Sequence, residues 1–290
     1  MRLIIYGNTH QEKHLDDISH LFKTLEKRNA WIEIEKEFYD YLCQSLPTPP
    51  RVDDVIADDD FSAAVAVSIG GDGTFLRTAK RVAHKGIPIV GINTGHLGYL
   101  VDANITAIED VISNLFNNNF KVEERTVLEV VSEDEPFKHP FALNEVAVTR
   151  QDSSTMLCVH TEVNGSFLTT YLGDGLIVST PTGSTAYNLS VGGPILDPTS
   201  KNWVISPISP HSLTMRPLVL RDDSIITLTT DSRAPLYQVS LDGRSHPCRT
   251  GSKITIRKAR FTVKVIQSIK HNFAETLRTK LMWGTDTREA

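Results

Sequence analysis

A glycine-rich turn between a buried strand and a helix constrains this chain more than any other feature. Residues 63–69 (AAVAVSI) form a predominantly apolar run of strand length, and residues 74–84 have helical character. Between them, several backbone N–H groups and a helix N-terminus meet at one point, which favours the oxygens of a phosphate. The sequence therefore predicts a phosphate loop after a strand of a parallel sheet, made of Gly70, Gly71, Gly73 and Thr74.

Asp72 is the residue of this loop that phosphate binding alone does not explain. A carboxylate repels phosphates unless it accepts a proton or faces a metal, so we interpret Asp72 as a candidate general base. The alternative is an Asp that caps the helix. The loop has no lysine of the GxxxxGK[ST] type and no GxGxxG spacing, which indicates another phosphate-handling class. Arg77 can reach a phosphate from the helix, or be a solvated helix arginine.

The pattern of predicted helices and strands changes once along the chain. Short apolar runs alternate with helical patterns over the first 120 or so residues, whereas turn-separated alternating segments follow up to about residue 265. The predicted architecture is an α/β domain at 1–123 with a parallel, Rossmann-like sheet, then a β-rich domain at 124–265. A helical pattern at residues 272–282 predicts that the tail, 266–290, packs back on the first domain.

Composition narrows the class of protein. A formal net charge of −5 over 290 residues, without a basic cluster, argues against a nucleic-acid partner. The basic run at residues 253–264 alternates with apolar residues and is interpreted as a half-buried strand. Three distant cysteines indicate neither disulfides nor a zinc site, and no apolar stretch is long enough for a membrane span. We expect a cytoplasmic protein with no membrane partner.

Small hydroxylic residues are concentrated in the second half. Gly173-Asp174-Gly175 precedes residues 179–190 (STPTGSTAYNLS), which lead to Gly192-Gly193-Pro194. Residues of this type approach a polar ligand closely and offer many hydrogen bonds, and Tyr187 adds a flat face for a base or nicotinamide. This segment is too dense for a plain turn, so we interpret it as a ligand contact.

Asn144 and Glu145 form a polar pair at the head of a predicted strand. The Asn amide offers a donor and an acceptor to a purine edge, and the Glu can accept both hydroxyls of a ribose. A capped strand start is the alternative explanation. The residues alone leave the choice open.

These motifs together resemble the NAD kinase family, in the expected order and over nearly the whole chain. The matching stretches are Gly70 to Gly73, residues 93–100 (NTGHLGYL), Asn144-Glu145, Asp174-Gly175 and residues 180–193. The GGDGT element is shared with lipid kinases and phosphofructokinases, whereas the stretch TPTGSTAYNLSVGGP is specific. The resemblance implies phosphorylation of the adenosine ribose 2′-hydroxyl of NAD by ATP with Mg²⁺, giving NADP.

The resemblance also implies site residues. Asp72 matches the catalytic aspartate, and the implied contacts to NAD are Asp72, Gly73, Arg77, Asn144, Glu145, Asp174, Thr185, Ala186, Tyr187, Asn188, Leu189, Ser190, Asp242 and Arg244. No protein ligand for the metal is assigned. Leu172 stands where some members carry arginine, which leaves NAD and NADH as alternative substrates.

Family members assemble as symmetric oligomers with partly shared sites, so a dimer or tetramer is expected. A lipid kinase of the GGDGT type and a non-catalytic nucleotide sensor are the alternative functions. The first requires an apolar pocket or a membrane-facing basic segment, and no amphipathic basic segment is found. Asp72 argues against the second.

Overall fold

The chain forms two compact units in a computed structural model, which describes residues 1–95, 98–101, 103–151 and 155–284. The first unit combines Met1–Glu124 with Val263–Ala290, and the second is Arg125–Thr262. The first unit is thus built from two separate stretches of the chain, because the tail returns to it.

One sheet forms the centre of the first unit. Its eight strands, numbered along the whole chain, are β1 (Arg2–Gly7), β2 (Trp31–Glu35), β3 (Asp54–Ile56), β4 (Val65–Ile69), β5 (Ile89–Asn93), β6 (Ala103–Asn104), β7 (Phe120–Arg125) and β20 (Val263–Ser268). Their order is β3-β2-β1-β4-β5-β20-β7, with β6 paired to β5. The pairs β1·β2, β1·β4 and β4·β5 are parallel, so the carboxyl ends of these four strands share one edge, where open α/β sheets bind ligands.

The described residues of this unit form five α-helices: α1 (Leu15–Lys27), α2 (Lys36–Ser45), α3 (Asp72–Val82), α4 (Ile108–Phe116) and α6 (Phe273–Leu281). In α1 the buried residues are Ile18, Leu21, Phe22 and Leu25, at the spacing of one helix face. They join one apolar core with Leu3 and Ile5 of β1. The α/β architecture and the returning helix predicted from the sequence are confirmed, but β2, α2 and β3 were not predicted.

Two six-stranded antiparallel sheets form the second unit. One has the order β15-β14-β13-β10-β17-β18 and the other β12-β11-β16-β19-β8-β9. Their strands are β8 (Leu128–Ser132), β9 (Phe141–Ala142), β10 (Glu145–Arg150), β11 (Leu157–Val163), β12 (Ser166–Gly173), β13 (Gly175–Ser179), β14 (Asn202–Ile208), β15 (Leu218–Arg221), β16 (Ile226–Asp231), β17 (Leu236–Leu241), β18 (Arg244–Arg249) and β19 (Lys253–Lys258). One core, with Trp203 completely buried, draws residues from both sheets. The predicted β-rich domain is confirmed.

The basic run at residues 253–264 differs from its prediction as one strand. It contains all of β19, in the second unit, and the start of β20, in the first. Both segments alternate apolar and basic residues, so periodicity alone does not show the break between them. None of the helices that the structure describes is long and apolar enough to cross a membrane.

Candidate active site

Asp72 is the first residue of α3, directly after the buried strand β4 and two glycines. Its carboxylate accepts hydrogen bonds from the backbone N–H groups of Tyr99, at 2.7 Å, and Leu100, at 3.0 Å. Among the described residues, no N–H of its own helix donates to it. The carboxylate is therefore held by the segment that follows β5 and does not cap the helix, which answers the alternative raised by the sequence.

Gly98 keeps the space beside this carboxylate open. A methyl group added at Gly98 would lie 2.5 Å from Oδ1 of Asp72, closer than real contacts allow. Residues 98–100 can therefore pack against the carboxylate of Asp72, because Gly98 has no side chain and the N–H groups of Tyr99 and Leu100 donate to it.

The glycine loop has the backbone that its sequence predicts. Gly70 has a φ of +146°, a value that residues other than glycine rarely adopt. Its N–H donates to the carbonyl of Ile92 across 2.9 Å. A methyl group at Gly70 would also lie 2.6 Å from Oγ1 of Thr74, which is buried. Gly73, by contrast, has open space around it. The loop thus ties the ends of β4 and β5 together and leaves backbone accessible at Gly73.

Arg77 points to the end of β1. Its Nη2 donates to the carbonyl of Gly7 and lies 3.6 Å from Oε2 of Glu35, the last residue of β2. Burial raises the pKa of Glu35, and the charge of Arg77 opposes that rise. The guanidinium predicted to contact phosphate is thus bound to two groups of its own unit, and sequence analysis missed Glu35 as its partner.

In the second unit, Asp242 organises the Asn144–Glu145 pair. Its carboxylate accepts from the backbone N–H groups of Leu143, at 2.8 Å, Asn144, at 2.7 Å, and Glu145, at 3.3 Å. Burial raises the pKa of Asp242, while these hydrogen bonds lower it. Asp242 was predicted to line the site, and the structure shows in addition that it fixes the backbone of the pair.

The side chains of the pair offer unused hydrogen-bonding atoms. Oδ1 of Asn144 and Oε2 of Glu145 are buried, and neither has a hydrogen-bond partner within the described part of the chain. Burial raises the pKa of the Glu145 carboxyl to about 7, and the negative charge of Asp242 adds to this effect. Buried polar atoms are normally paired, so these two atoms suit the hydroxyl or amino groups of a ligand.

The hydroxylic segment is folded into two short helical turns, a 3-10 turn at Thr182–Thr185 and α5 at Tyr187–Ser190. Thr180 joins it to the pair, because its Oγ1 donates to the carbonyl of Leu143 across 2.6 Å and accepts from the N–H of Gly183. A methyl group at Gly183 would lie 2.0 Å from the carbonyl oxygen of Asn144. Glycine is therefore required for this contact. Sequence analysis included Thr180 and Gly183 in the ligand-contacting segment but assigned neither a contact of its own.

Asn188 braces the segment internally. It is fully buried, its Nδ2 donates to the carbonyls of Ser184 and Pro194, both at 3.1 Å, and its Oδ1 accepts from Oγ of Ser206 at 2.6 Å. This side chain was predicted to contact the ligand, and most of its hydrogen-bonding capacity is used within the protein. Tyr187, next to it, is 41% exposed and free to stack.

Two further predicted contacts are charged. Nε of Arg150 lies 3.1 Å from Oδ1 of the half-exposed Asp174. Arg244 donates to the carbonyls of Leu241, at 3.1 Å, and Phe141, at 2.7 Å. Burial lowers the pKa of the Arg244 guanidinium, and the charge of Asp242 raises it.

The predicted residues therefore fall into two groups. The phosphate loop, Asp72 and Arg77 lie in the first unit, and the remaining predicted contacts lie in the second. Hydrogen bonds connect Asp242, the Asn144–Glu145 pair and the start of the hydroxylic segment. Asp174, by contrast, lies at the opposite end of β13 from Thr180, because Gly175 pairs with Thr149 and Ser179 with Glu145. Among the residues it describes, no group of three His, Cys, Asp or Glu is arranged to hold a metal ion.

Family models match both halves of the chain. The ATP-NAD kinase N-terminal domain matches residues 8–120, and the ATP-NAD kinase C-terminal domain matches residues 143–268. Together they include the glycine loop and the hydroxylic segment.

Relatives match over the full length. The chain is 47% identical to an NAD kinase of Bacteroides fragilis over 289 residues, covering 99% of this chain and all of that protein. It is 40% identical to an NAD kinase of Porphyromonas gingivalis over 287 residues, covering 99% of each.

Two solved structures share the fold. A yeast NADH kinase complexed with NADH superposes with a TM-score of 0.90 at 21% identity, covering all of this chain and 90% of that one. An NAD kinase from Archaeoglobus fulgidus in complex with ATP gives 0.74 at 25% identity, covering 96% and 99%. The first likeness concerns the fold alone.

Proposed function

The chain belongs to the ATP-NAD kinase family, and we propose that it transfers the γ-phosphoryl group of ATP to the 2′-hydroxyl of the adenosine ribose of NAD, giving NADP. The observation that carries the chemistry is Asp72, a carboxylate at the end of a parallel strand, beside a glycine loop and held by two backbone N–H groups. Relatives named NAD kinase that match over nearly the full chain support this proposal.

Asp72 is the proposed catalytic residue. Because the N–H groups of Tyr99 and Leu100 occupy only part of its hydrogen-bonding capacity, the carboxylate can still accept a hydrogen bond from the ribose 2′-hydroxyl. In that position it orients the hydroxyl and takes its proton as the new bond to the γ-phosphorus forms and the bond to the oxygen of the leaving ADP breaks. The N–H groups of the glycine loop stabilise the charge of the phosphoryl oxygens.

Asn144 and Glu145 are the proposed nucleoside contacts. Their buried, unpartnered oxygens accept hydrogen bonds from the substrate, and Asp242 keeps their backbone in place. Tyr187 offers its exposed ring to a base or nicotinamide. The remaining predicted contacts are Asp174, Thr185, Ala186, Asn188, Leu189, Ser190 and Arg244, of which Asn188 acts chiefly as a brace.

Mg²⁺ is proposed as the metal that arrives with ATP. Its preferred ligands are oxygens, usually one or two carboxylates together with substrate phosphates. The described residues offer no three-residue cluster of His, Cys, Asp or Glu, and Asp72 is the carboxylate of the phosphate loop. This donor set fits a metal held mostly by phosphates. If it is bound in this way, the metal would offset negative charge on the transferring phosphoryl group.

Assembly and location are further proposals. Family resemblance supports a symmetric dimer or tetramer in which the neighbouring chain helps to complete the site. Three free, half-buried cysteines suit a reducing compartment, which supports a cytoplasmic location.

Purified protein incubated with Mg-ATP and either NAD or NADH provides the test. The account predicts that an NADP-specific dehydrogenase detects product, and the comparison of the two acceptors decides which is preferred. A parallel assay of NADP formation with polyphosphate in place of ATP shows whether polyphosphate also serves as the phosphoryl donor. Phosphorylation of diacylglycerol without any NADP would instead identify a lipid kinase, and NAD binding without turnover would identify a nucleotide sensor.

A further inference from the structure

The segment after β1 is a polar stretch to which the proposed function assigns no role. Residues 8–14 read NTHQEKH. The backbone N–H of Asn8 donates to the carbonyl of Ile69 across 3.0 Å, and Nε2 of Gln11 donates to the same carbonyl across 3.2 Å. Gln11 is 2% exposed, so this attachment is buried. Because Ile69 directly precedes Gly70, the segment lies beside the phosphate loop.

His14, at the end of this segment, has a ring that is fixed on one side. Its Nδ1 lies 3.3 Å from Oδ2 of Asp17, which is on the first turn of α1. Its Nε2 faces Gly95, where an added methyl group would lie 3.6 Å away. Gly95 follows β5 and has a φ of +91°, a conformation that favours glycine. A carboxylate on one ring nitrogen orients the imidazole and directs the other nitrogen toward the carboxyl edge of the sheet.

The arginine that the sequence places beside the phosphates is engaged elsewhere. Arg77 donates to the carbonyl of Gly7 and pairs with Glu35. Its charge is therefore largely balanced inside the first unit. Phosphoryl transfer still requires donors that face the oxygens of the transferring group. At this edge, Nε2 of His14 faces Gly95 after β5, on the side of the ring away from Asp17.

We propose that His14 contacts the phosphoryl donor, with Nε2 donating to a phosphate oxygen of ATP, and that Asp17 is its positioning residue. The inference rests on the proposed function. Because Nδ1 donates to Asp17, Nε2 can donate only when the ring is protonated. His14 thus places a ring nitrogen beside the phosphate loop, where the guanidinium of Arg77 is bound to groups of the first unit.

His20 provides a matched control. It lies on α1, its side chain is 48% exposed, and its Nε2 is 3.2 Å from Oε1 of Glu109 on α4. It therefore has the same imidazole and carboxylate chemistry, but it pairs with α4 and not with the loop after β5. His20→Phe removes a histidine of the same kind without touching the proposed contact.

The experiment measures NADP formation as ATP is varied at saturating NAD, for the wild type, His14→Phe, His14→Gln, Asp17→Asn and His20→Phe. Loss of a hydrogen bond to a charged phosphate group is expected to raise the KM for ATP about 10-fold to 100-fold in His14→Phe. His14→Gln keeps a donor and should recover part of this loss. Asp17→Asn should shift the KM for ATP in the same direction by less, and His20→Phe should match the wild type.

Several results would overturn the proposal: an ATP KM of His14→Phe within about two-fold of the wild type, an equal effect of His20→Phe, or an equal rise in the KM for NAD. Circular dichroism checks that each variant is folded. If His14→Phe is not folded, the KM values for ATP of His14→Gln and Asp17→Asn test the proposal instead. A wild type that forms no NADP refutes the proposed function itself. An active wild type with an unaffected His14→Phe refutes only the role of His14.

Discussion

The carboxylate of Asp72 accepts a hydrogen bond from the backbone N–H of Tyr99 across 2.7 Å, joining the start of α3 to the segment after β5. Asp72→Asn keeps one acceptor but turns an NH₂ group toward one of two N–H donors. We expect turnover to fall at least about 10²-fold, the lower range for loss of a positioned base. Stability should fall by about 1 kcal/mol, for one lost hydrogen bond. Steady-state kinetics and urea unfolding measure both effects. Unchanged kcat would remove Asp72 from the mechanism.

Gly98→Ala tests the same contact from the other side. An added methyl group would lie 2.5 Å from Oδ1 of Asp72, so the carboxylate or the segment must move. Displacing a catalytic group by about 1 Å can lower the rate about 10²-fold, so we expect kcat to fall strongly while the KM for NAD changes little. A variant with wild-type kcat would show that the position of Asp72 is not critical.

This contact also shows where sequence reasoning stops. The local pattern of strand, glycines and Asp was enough to predict the loop and its carboxylate. The hydrogen-bond partners lie 27 and 28 residues further along the chain, and only the pairing of β4 with β5 brings them to Asp72. The pairing of Arg77 with Glu35 was missed for the same reason, because Glu35 lies on a strand about 40 residues before Arg77 in the sequence.

Glu145→Gln should alter how stability depends on pH. Burial and Asp242 raise the pKa of Glu145 from 4.5 to about 7. The pKa of Glu145 is higher in the folded than in the unfolded protein. Its contribution to the free energy of unfolding is therefore fully present below about pH 4.5 and is lost as the pH rises through about 7. The loss is of the order of 3 kcal/mol, at about 1.4 kcal/mol per pKa unit. Glutamine is neutral at every pH and should escape this loss.

Urea unfolding near pH 5 and near pH 8 measures the difference between wild type and Glu145→Gln. Trp203 is completely buried in the second unit, so its fluorescence reports unfolding there. The variant should gain stability relative to the wild type at the higher pH. Titrating groups that do not interact with Glu145 are common to both proteins and cancel in the comparison, whereas Asp242 interacts with Glu145 and contributes to the difference. An equal pH dependence would show that Glu145 ionises normally.

Asn144→Ala and Glu145→Ala should raise the KM for NAD more than they lower kcat. Contacts made equally in the ground and transition states act as uniform binding, and the unpartnered oxygens of this pair suit such contacts. The KM for ATP should change less. If only the ATP KM responds, the pair has been assigned to the wrong substrate.

The fold was predicted in outline, and there are physical reasons why some of its elements were missed. In β2, the sequence WIEIE places Glu33 and Glu35 where a central strand normally has apolar residues. Glu33 is 1% exposed and accepts from Nε of Arg2, so a long-range partner makes its burial tolerable. Likewise, the sequence predicts Asp242 only as a residue that lines the site, because its turn does not reveal the three N–H groups that it binds about 100 residues away.

Mixed oligomers test whether the site is shared between chains. Inactive Asp72→Asn and Asp174→Asn chains are unfolded and refolded together. If the neighbouring chain supplies the segment around Asp174, some interfaces combine an intact Asp72 with an intact Asp174, and activity partly returns. Separate refolding of each variant is the control. Mixed oligomers that form but stay at the background of the single variants would show a site built within one chain.

Labelled phosphate traces the proposed transfer from ATP to NAD itself. Wild-type protein and Asp72→Asn are incubated with ATP labelled at the γ-phosphate, Mg²⁺ and NAD, and the products are separated. The account predicts label in NADP, at the 2′-phosphate of the adenosine ribose, for the wild type, and a rate lower by at least about 10²-fold for the variant. Label released only as inorganic phosphate, or equal labelling of NADP by both proteins, would contradict it.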